Sequence, residues 1–217
     1  MRVFLSRYGI YLSKFTVHKY MNKMLNLASI IMRKKPGYRS GHKHKIFDNL
    51  LKQDFTVSEK NKVWCTDFTY LRQPNGRFRY NCTIIDLYDR SAIASVNADY
   101  MNTELAIKTL NEALIKEKRP KNLILHSDQG VQFTSWEFVK FCKDNNIIQS
   151  MSRAGCPYDN APMERFYNTF KNCFYYRYTF DSVEMLDKMT KQYVNWYNYV
   201  RPHTHNNNLT PMELRYS

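Results

Sequence analysis

Long apolar runs are missing from this 217-residue chain. No stretch reaches the roughly 18 residues that a membrane-spanning helix needs. The start, MRVFLSRYGIYLSKF, is interrupted by Arg2, Arg7 and Lys14, which argues against a spanning helix and a secretory signal alike. Cysteine is sparse: Cys65, Cys82, Cys142, Cys156 and Cys173 are an odd number at wide spacings, with no CxxC. That pattern signals neither a disulfide framework nor a zinc site, and a reducing cytoplasm is the expected compartment. Glycine and proline are few, at 6 and 7, and 43% of residues are apolar against 24% charged. Collagen-like and fully disordered chains are thereby excluded. Acidic residues are scarce at the N-terminus. Residues 1–63 carry 14 basic and 3 acidic residues, net +11, whereas 64–217 carry 19 and 16, net +3. Such an arm attracts polyanions: DNA, RNA or an anionic membrane surface.

The length suits one full domain plus a partial second one. Thr16 to Leu27 places Val17, Met21, Met24 and Leu25 at helical spacing, with Thr16 as the expected N-cap. MRKKPGYRSGHKHK, residues 32–45, is basic and broken by Pro36, Gly37 and Gly41, so it reads as an extended linker. From Val63 the pattern changes. VWCTDFTYL and RFRYNCTIIDLYD, separated by Pro-Asn-Gly at 74–76, read as a hairpin, and SAIASVNADY as a third strand. A helix over Thr103–Lys116, the short strand NLILH, a helix over Thr134–Asn145 and the strand IIQSMS follow. The loop RAGCPYDNAP then leads into helices over about 161–176 and 182–199. This order implies an α/β fold, a mixed sheet with helices on its faces.

Three acidic residues stand out. Asp67 lies mid-strand, where Asp is depleted. Asp128 follows the apolar strand NLILH in HSDQG, and Glu164 opens a helix in DNAPMERFYNTFK. Each has an ordinary reading alone: solvent-facing, turn-forming, or helix-dipole partner. Together, a central strand, its neighbour's end and a helix start can converge at one sheet edge. Three converging carboxylates repel one another unless cations compensate them. All-oxygen ligands of high charge suit Mg²⁺ or Mn²⁺, and two such ions about 4 Å apart promote in-line phosphoryl displacement.

The motifs WCTDFTYL, IIDLYDR, LILHSDQGVQFTS, SMSRAGCPYDNAPMERFYNTFK, YVNWYNYVRPH and LTPMEL, in this order over about residues 60–215, resemble the DDE transposases and retroviral-type integrases. Within these the chain is similar to the catalytic reading frame of the insertion-sequence-three group. The thirty-five residues between Asp128 and Glu164 are that group's hallmark. The resemblance implies an RNase H-like five-stranded sheet preceded by a basic helical arm, with Asp67, Asp128 and Glu164 as the metal-binding triad for Mg²⁺ or Mn²⁺. It implies Lys171 as a DNA contact, on the same helix face as Glu164 with Asn168 between them. Asp86 is expected to support the site or to be structural. His126 and Gln129 flank Asp128; His126 would hold a ligand or phosphate, or be a packed, satisfied ring. Tyr193, Trp196, Tyr197 and Val200 read first as a core stripe. Arg201 and His203, with Lys34, Lys35, Arg39 and Lys43 of the arm, are candidate phosphate contacts.

Two departures from the group stand out. Asn172 replaces an acidic residue after the helix lysine. Only the tail of the upstream helix-turn-helix is recognisable, in YGIYLSKFTVHKYMNKMLNLA. The expected organisation is a helix-turn-helix remnant over 1–31, a linker over 32–59 and a catalytic domain over 60–217. Expected partners are double-stranded DNA, further copies of the chain and an upstream-frame polypeptide, with no membrane. The alternatives are a nuclease on the same fold and an inactive DNA-binding remnant.

Overall fold

A computed structural model describes residues 1–27, 45–73 and 75–217. Five strands form one mixed sheet: β1 (Val63–Arg72), β2 (Phe78–Asp86), β3 (Ala92–Ala98), β4 (Ile124–Ser127) and β5 (Ile148–Met151), in the order β3-β2-β1-β4-β5. β1 pairs antiparallel with β2 and parallel with β4, and β4 is parallel to β5. β1 is central, and its alternation serves two cores. Val63, Cys65 and Leu71 join one cluster, while Trp64 joins the other with Ile84 and Leu125. A strand covered on both faces reads as nearly continuous apolar sequence, as VWCTDFTYL does.

Helices α3 (Thr103–Lys116) and α5 (Trp136–Asp144) supply the second core through Leu110, Ala113, Phe138 and Cys142. Helices α6 (Ala161–Cys173) and α7 (Val183–Tyr199) supply the first through Phe166, Phe170, Leu186 and Tyr193. Side-chain caps fix the helix starts: Asn102, Ser135 and Ser182 each accept from a backbone amide three residues on. The helix expected over Thr134–Asn145 is divided at Ser135, whose extended backbone separates the short α4 (Val131–Thr134) from α5. Val200, expected in the core stripe, is exposed. A last helix, α8 (Pro211–Tyr216), opens on a capping box between Thr210 and Glu213.

The arm holds α1 (Arg2–Arg7) and α2 (Lys14–His18), the latter continuing in wider turns over Lys19–Met24. Its cap is Ser13 rather than Thr16, since the Ser13 hydroxyl accepts from the Thr16 amide. Of the expected stripe only Val17 is buried, and Met24 and Leu25 are exposed. Arg7 ties the arm to the body through Glu213 at 2.8 Å. Lys34, Lys35, Arg39 and Lys43 lie outside the described residues. Residues 45–59, read as linker, pack on the core. Leu51 is buried with Phe55 and Val57 against the first cluster, Phe47 lies against the second, and the Leu50 amide donates to Ser150.

Candidate active site

The strand register brings two of the carboxylates side by side. Cys65 pairs with His126 on adjacent parallel strands, and Asp67 and Asp128 each stand two residues further on. The carboxyl ends of parallel strands are where α/β sheets place their sites. The third comes from α6, which is pinned to β1 at Thr66 and at Asp67 itself. Asn160 donates to the Thr66 carbonyl at 3.3 Å, and the buried Tyr167 hydroxyl donates to the Asp67 carbonyl at 2.7 Å. Glu164 lies between those two anchors, in the first turn of α6.

The electrostatics follow from this convergence. Burial, then the charge of Asp128 and, after it, that of Glu164, raise the Asp67 carboxyl well above the usual carboxylate range. The Phe68 amide, donating to Asp67 Oδ1 at 2.7 Å, and the Lys171 ammonium act the other way. Burial also raises the Glu164 carboxyl. The donor set is all oxygen, crowded and net negative, which is what a hard divalent cation relieves. The residues fit such an ion by chemistry. Among the described residues no three metal-ligating side chains are drawn into a closed set around one point.

Asp128 is set by its loop. Its Oδ1 accepts from the Gly130 amide at 2.8 Å. A Cβ built on Gly130 would lie 2.9 Å from that same oxygen and 3.1 Å from Gln132 Oε1. Gly130 has φ −59° and ψ 145°, a backbone open to any residue, so the constraint is space, not strain. Gly130→Ala should therefore barely change thermal stability, because a side-chain tip can move. It should lower catalysis about 100-fold by displacing the carboxylate. Unchanged activity, measured beside an unchanged melting curve, would remove Gly130 from the site.

The other expected residues fall into distinct places. Lys171 is half-buried, its ammonium 4.7 Å from the centroid of the Tyr70 ring and within the field of Asp67; burial lowers its pKa and Asp67 raises it. Asn168 is exposed, and its side-chain oxygen accepts from Asn172. Gln129 is half-buried in the turn after Asp128. His126 is fully buried. Its Nε2 lies 2.9 Å from the Asp159 carbonyl, which can only accept, so Nε2 carries the proton and Nδ1 accepts from Ser150 at 2.9 Å. The ring is thus the packed, satisfied histidine of the two readings, with no nitrogen left for a ligand. Asp86 is structural: fully buried, three residues from Asp67 in strand register, and paired with Arg215 at 3.0 Å. Arg201 lies over the Tyr197 ring at 5.5 Å. His203 is buried edge-on against that ring at 4.6 Å, so in this arrangement it packs and does not face solvent as a phosphate contact must.

Sequence reasoning missed the anchor of the loop before Glu164. Asp159, fully buried, accepts from the Arg153 amide and guanidinium at 3.0–3.2 Å and from Gln53 at 2.7 Å. Arg153 holds the Asp159 carboxyl well below its ordinary range. The only signal was an Asp-Asn pair that reads equally well as an irregular loop.

Burial, followed by Arg201, His205 and Arg90, lowers the His203 pKa to about 3, while its contact with the Tyr197 backbone raises it. Its Nε2 is buried without a partner. The folded state therefore keeps this ring neutral, whereas the unfolded chain protonates it near pH 6.5. The unfolded state binds more protons below that pH, so stability is full above about 6.5 and falls as pH drops, by up to about 1.4 kcal/mol per unit. Urea melts from pH 7.5 to 4.5 should show His203→Gln losing stability less steeply than the wild type. Parallel curves would overturn this.

Two models of the integrase core domain match the chain, over residues 57–157 and 145–211. The transposase InsF for insertion sequence IS3A of Escherichia coli (strain K12) is 37% identical over 179 residues, covering 82% of this chain and 61% of that one. An uncharacterized 31 kDa protein of insertion element IS600 from Shigella sonnei is 33% identical over 177 residues, 81% of this chain and 65% of that one. This chain thus spans about three fifths of the length of these curated relatives. Among solved structures, the HTLV-2 integrase catalytic core domain in complex with magnesium superposes with a TM-score of 0.58 at 18% identity, over 73% of this chain and 98% of that one. A simian T-cell lymphotropic virus intasome chain gives 0.64 at 17% identity, over 100% of this chain and 70% of that one. At these identities the structures establish the fold, an RNase H-like integrase core. With the motifs in order and the strand-end carboxylates in register, the chain belongs to the DDE transposase and integrase family, in the group of the IS3 transposases.

Proposed function

We propose that this chain is the catalytic polypeptide of an insertion-sequence transposase, which cuts DNA at the element's ends and joins it to a target. The observation that carries the reading is the meeting of Asp67 and Asp128 at the ends of adjacent parallel strands with α6, which carries Glu164, anchored to β1 beside them. Asp67, Asp128 and Glu164 would hold two Mg²⁺ or Mn²⁺ ions, which when bound activate an attacking hydroxyl and steady the leaving oxygen of an in-line displacement. Asp67 and Asp128 supply oxygens from adjacent strand ends, and Glu164 supplies its own from α6. Lys171, on the same helix, neutralises a DNA phosphate next to them. Water attacks a phosphodiester, one P–O bond forms as another breaks, and a 3′-OH is freed. That hydroxyl attacks a second phosphodiester in the same way, with no covalent link to the protein.

The arm, the remnant of a helix-turn-helix region, holds DNA without strong site selectivity. The catalytic unit begins near residue 45, where packing on the core starts, earlier than the expected residue 60. Several copies act together on DNA in the cytoplasm, and an upstream-frame polypeptide supplies the remaining DNA-binding helices. Plasmid strand-transfer and oligonucleotide cleavage assays in Mg²⁺ separate this reading from its rivals. Joined products support a transposase, cleavage alone a nuclease, and binding alone an inert remnant.

Residues 1–44 carry 10 basic and no acidic residues. Their removal takes away the buried Val17 and the Arg7–Glu213 pair but leaves Leu51 and Phe55 in place. The truncated chain should fold and bind DNA more weakly. Its slope of log affinity against log salt should be flatter by about 0.9 for each phosphate that the arm no longer neutralises. Equal slopes would place the phosphate-binding cations on the core instead.

A further inference from the structure

β1 outruns its neighbour. It pairs with β4 only over Val63–Cys65; beyond that point no strand runs along this edge of β1, and side chains of α6 and the turn after it meet its backbone instead. On one face of the hairpin beyond that point stand three aromatic rings in cross-strand contact. Tyr70 lies opposite Tyr80, and Phe78 meets Tyr70 edge-on at 5.7 Å and Tyr80 at 6.4 Å. Cross-strand aromatics of this kind normally cover a core. Here Phe68 fills that role, against Phe133 at 5.1 Å, and the rings further out are left in solvent, with Tyr70 and Phe78 each 43% exposed. Cations surround them. Arg72, opposite Phe78, and Arg77 in the turn are exposed, and Lys171, reaching from α6, sets its ammonium over the Tyr70 ring at 4.7 Å. Tyr70 stands three residues beyond Asp67 on the same strand and faces the other way, and Lys171, on the helix that carries Glu164, reaches around the strand to its ring, so the platform adjoins the triad around that edge.

We propose that Tyr70 and Phe78 form a stacking platform for unpaired bases of a frayed DNA end, with Lys171, Arg72 and Arg77 on its phosphates. Flat, solvent-facing rings interleaved with cations are what single-stranded nucleic acid requires, since every base offers a π-face and every linkage a negative charge. Within a duplex the bases are stacked on both faces, and a blunt end offers only the outer face of its last pair. The site therefore takes up a strand only where pairing is opened, and opening the end frees the scissile phosphodiester from the duplex beside Asp67. Tyr70 acts as a positioning residue for the strand. This inference rests on the transposase reading above.

The test uses the full chain in EDTA, so that no strand is cut, with a forked duplex carrying 2-aminopurine in its unpaired arm and a blunt duplex of the same sequence. The wild type should quench the probe and prefer the fork. Tyr70→Ala and Phe78→Ala should each lose the quenching and about 10-fold of the fork's affinity, with blunt-duplex binding unchanged. Tyr70→Phe, which keeps the ring, should retain both. Tyr70 and Phe78 are exposed, and matching melting curves establish that the variants fold. Equal fork preference and quenching in the wild type and both alanine variants overturn the platform. Cleavage in Mg²⁺, assayed separately, distinguishes the two failures. Quenching without cleavage sinks the proposed chemistry and keeps the platform, whereas cleavage with no effect of Tyr70→Ala does the reverse.

Discussion

Asp128→Asn should abolish DNA cleavage and strand transfer in Mg²⁺, by about 1000-fold or more, corresponding to roughly 4 kcal/mol of lost transition-state stabilisation. The substitution is chosen for what it leaves intact. Asn keeps an Oδ1 in the same place, so the Gly130 amide at 2.8 Å still has its acceptor and the turn after β4 keeps its shape. What disappears is one negative charge and one hard ligand oxygen. DNA retention should be unchanged or slightly stronger, because a charge that repels phosphate is gone. A second readout separates ligand loss from folding defects. Mn²⁺ should raise the melting temperature of the wild type, since binding only to the folded state stabilises it by mass action. It should do so much less for Asp128→Asn. Relief of repulsion at Asp67 predicts that removing Asp128 lowers the Asp67 carboxyl toward its ordinary range. Retained activity in this variant, or wild-type activity that survives EDTA, would sink metal-ion catalysis at these residues.

The parts legible in the sequence were those written locally. The alternation in VWCTDFTYL and the Pro-Asn-Gly turn mark the hairpin, and the helical period of Thr103–Lys116 marks α3 with the bounds observed. The mid-strand position of Asp67 and the strand-end position of Asp128 were legible for the same reason. Whether their carboxylates meet depends on which strands pair, and the Cys65–His126 register is a long-range fact. The arm misled because its apolar period is real, yet among the described residues Met24 and Leu25 stay exposed, and only Val17 of that stripe is buried. Residues 45–59 misled in the opposite direction. Their composition is that of a linker, yet Leu51, Phe55 and Val57 find a place on the core that no local pattern announces. Least legible was the role of isolated charges. Arg153, Asp159 and Arg215 look like ordinary surface residues until the fold sets them against partners that are remote in sequence or buried.

Arg215 gives the largest expected effect on stability. The chain's third-last residue lies 4% exposed beneath the sheet's far end, in a cluster assembled from four segments. Its guanidinium donates to Asp89 at 2.5 Å, Asp86 at 3.0 Å, Glu117 at 2.5 Å and the Asn61 side chain at 2.8 Å, and its carbonyl accepts from Lys60. Asp86 and Asp89 are both fully buried. Burial and the neighbouring Asp89 raise the Asp86 carboxyl, while the Tyr88 and Asn61 amides and Arg215 hold it down. Arg215 touches all three acidic groups, whereas Arg90 and Lys116 act on them only through their field. Arg215→Ala leaves those buried charges without a contacting cation, which should cost about 3–5 kcal/mol. For a chain of this length that is a fall of roughly 6–20 °C in Tm. Arg215→Lys should recover only part of it, because an ammonium cannot span four partners with a planar fork. Adding Asp89→Asn to Arg215→Ala should restore stability relative to the single variant, since it removes a charge the arginine no longer balances. If the double variant is as unstable as the sum of its parts, the cluster does not act as a coupled unit, and α8 is held to the sheet by its apolar contacts instead.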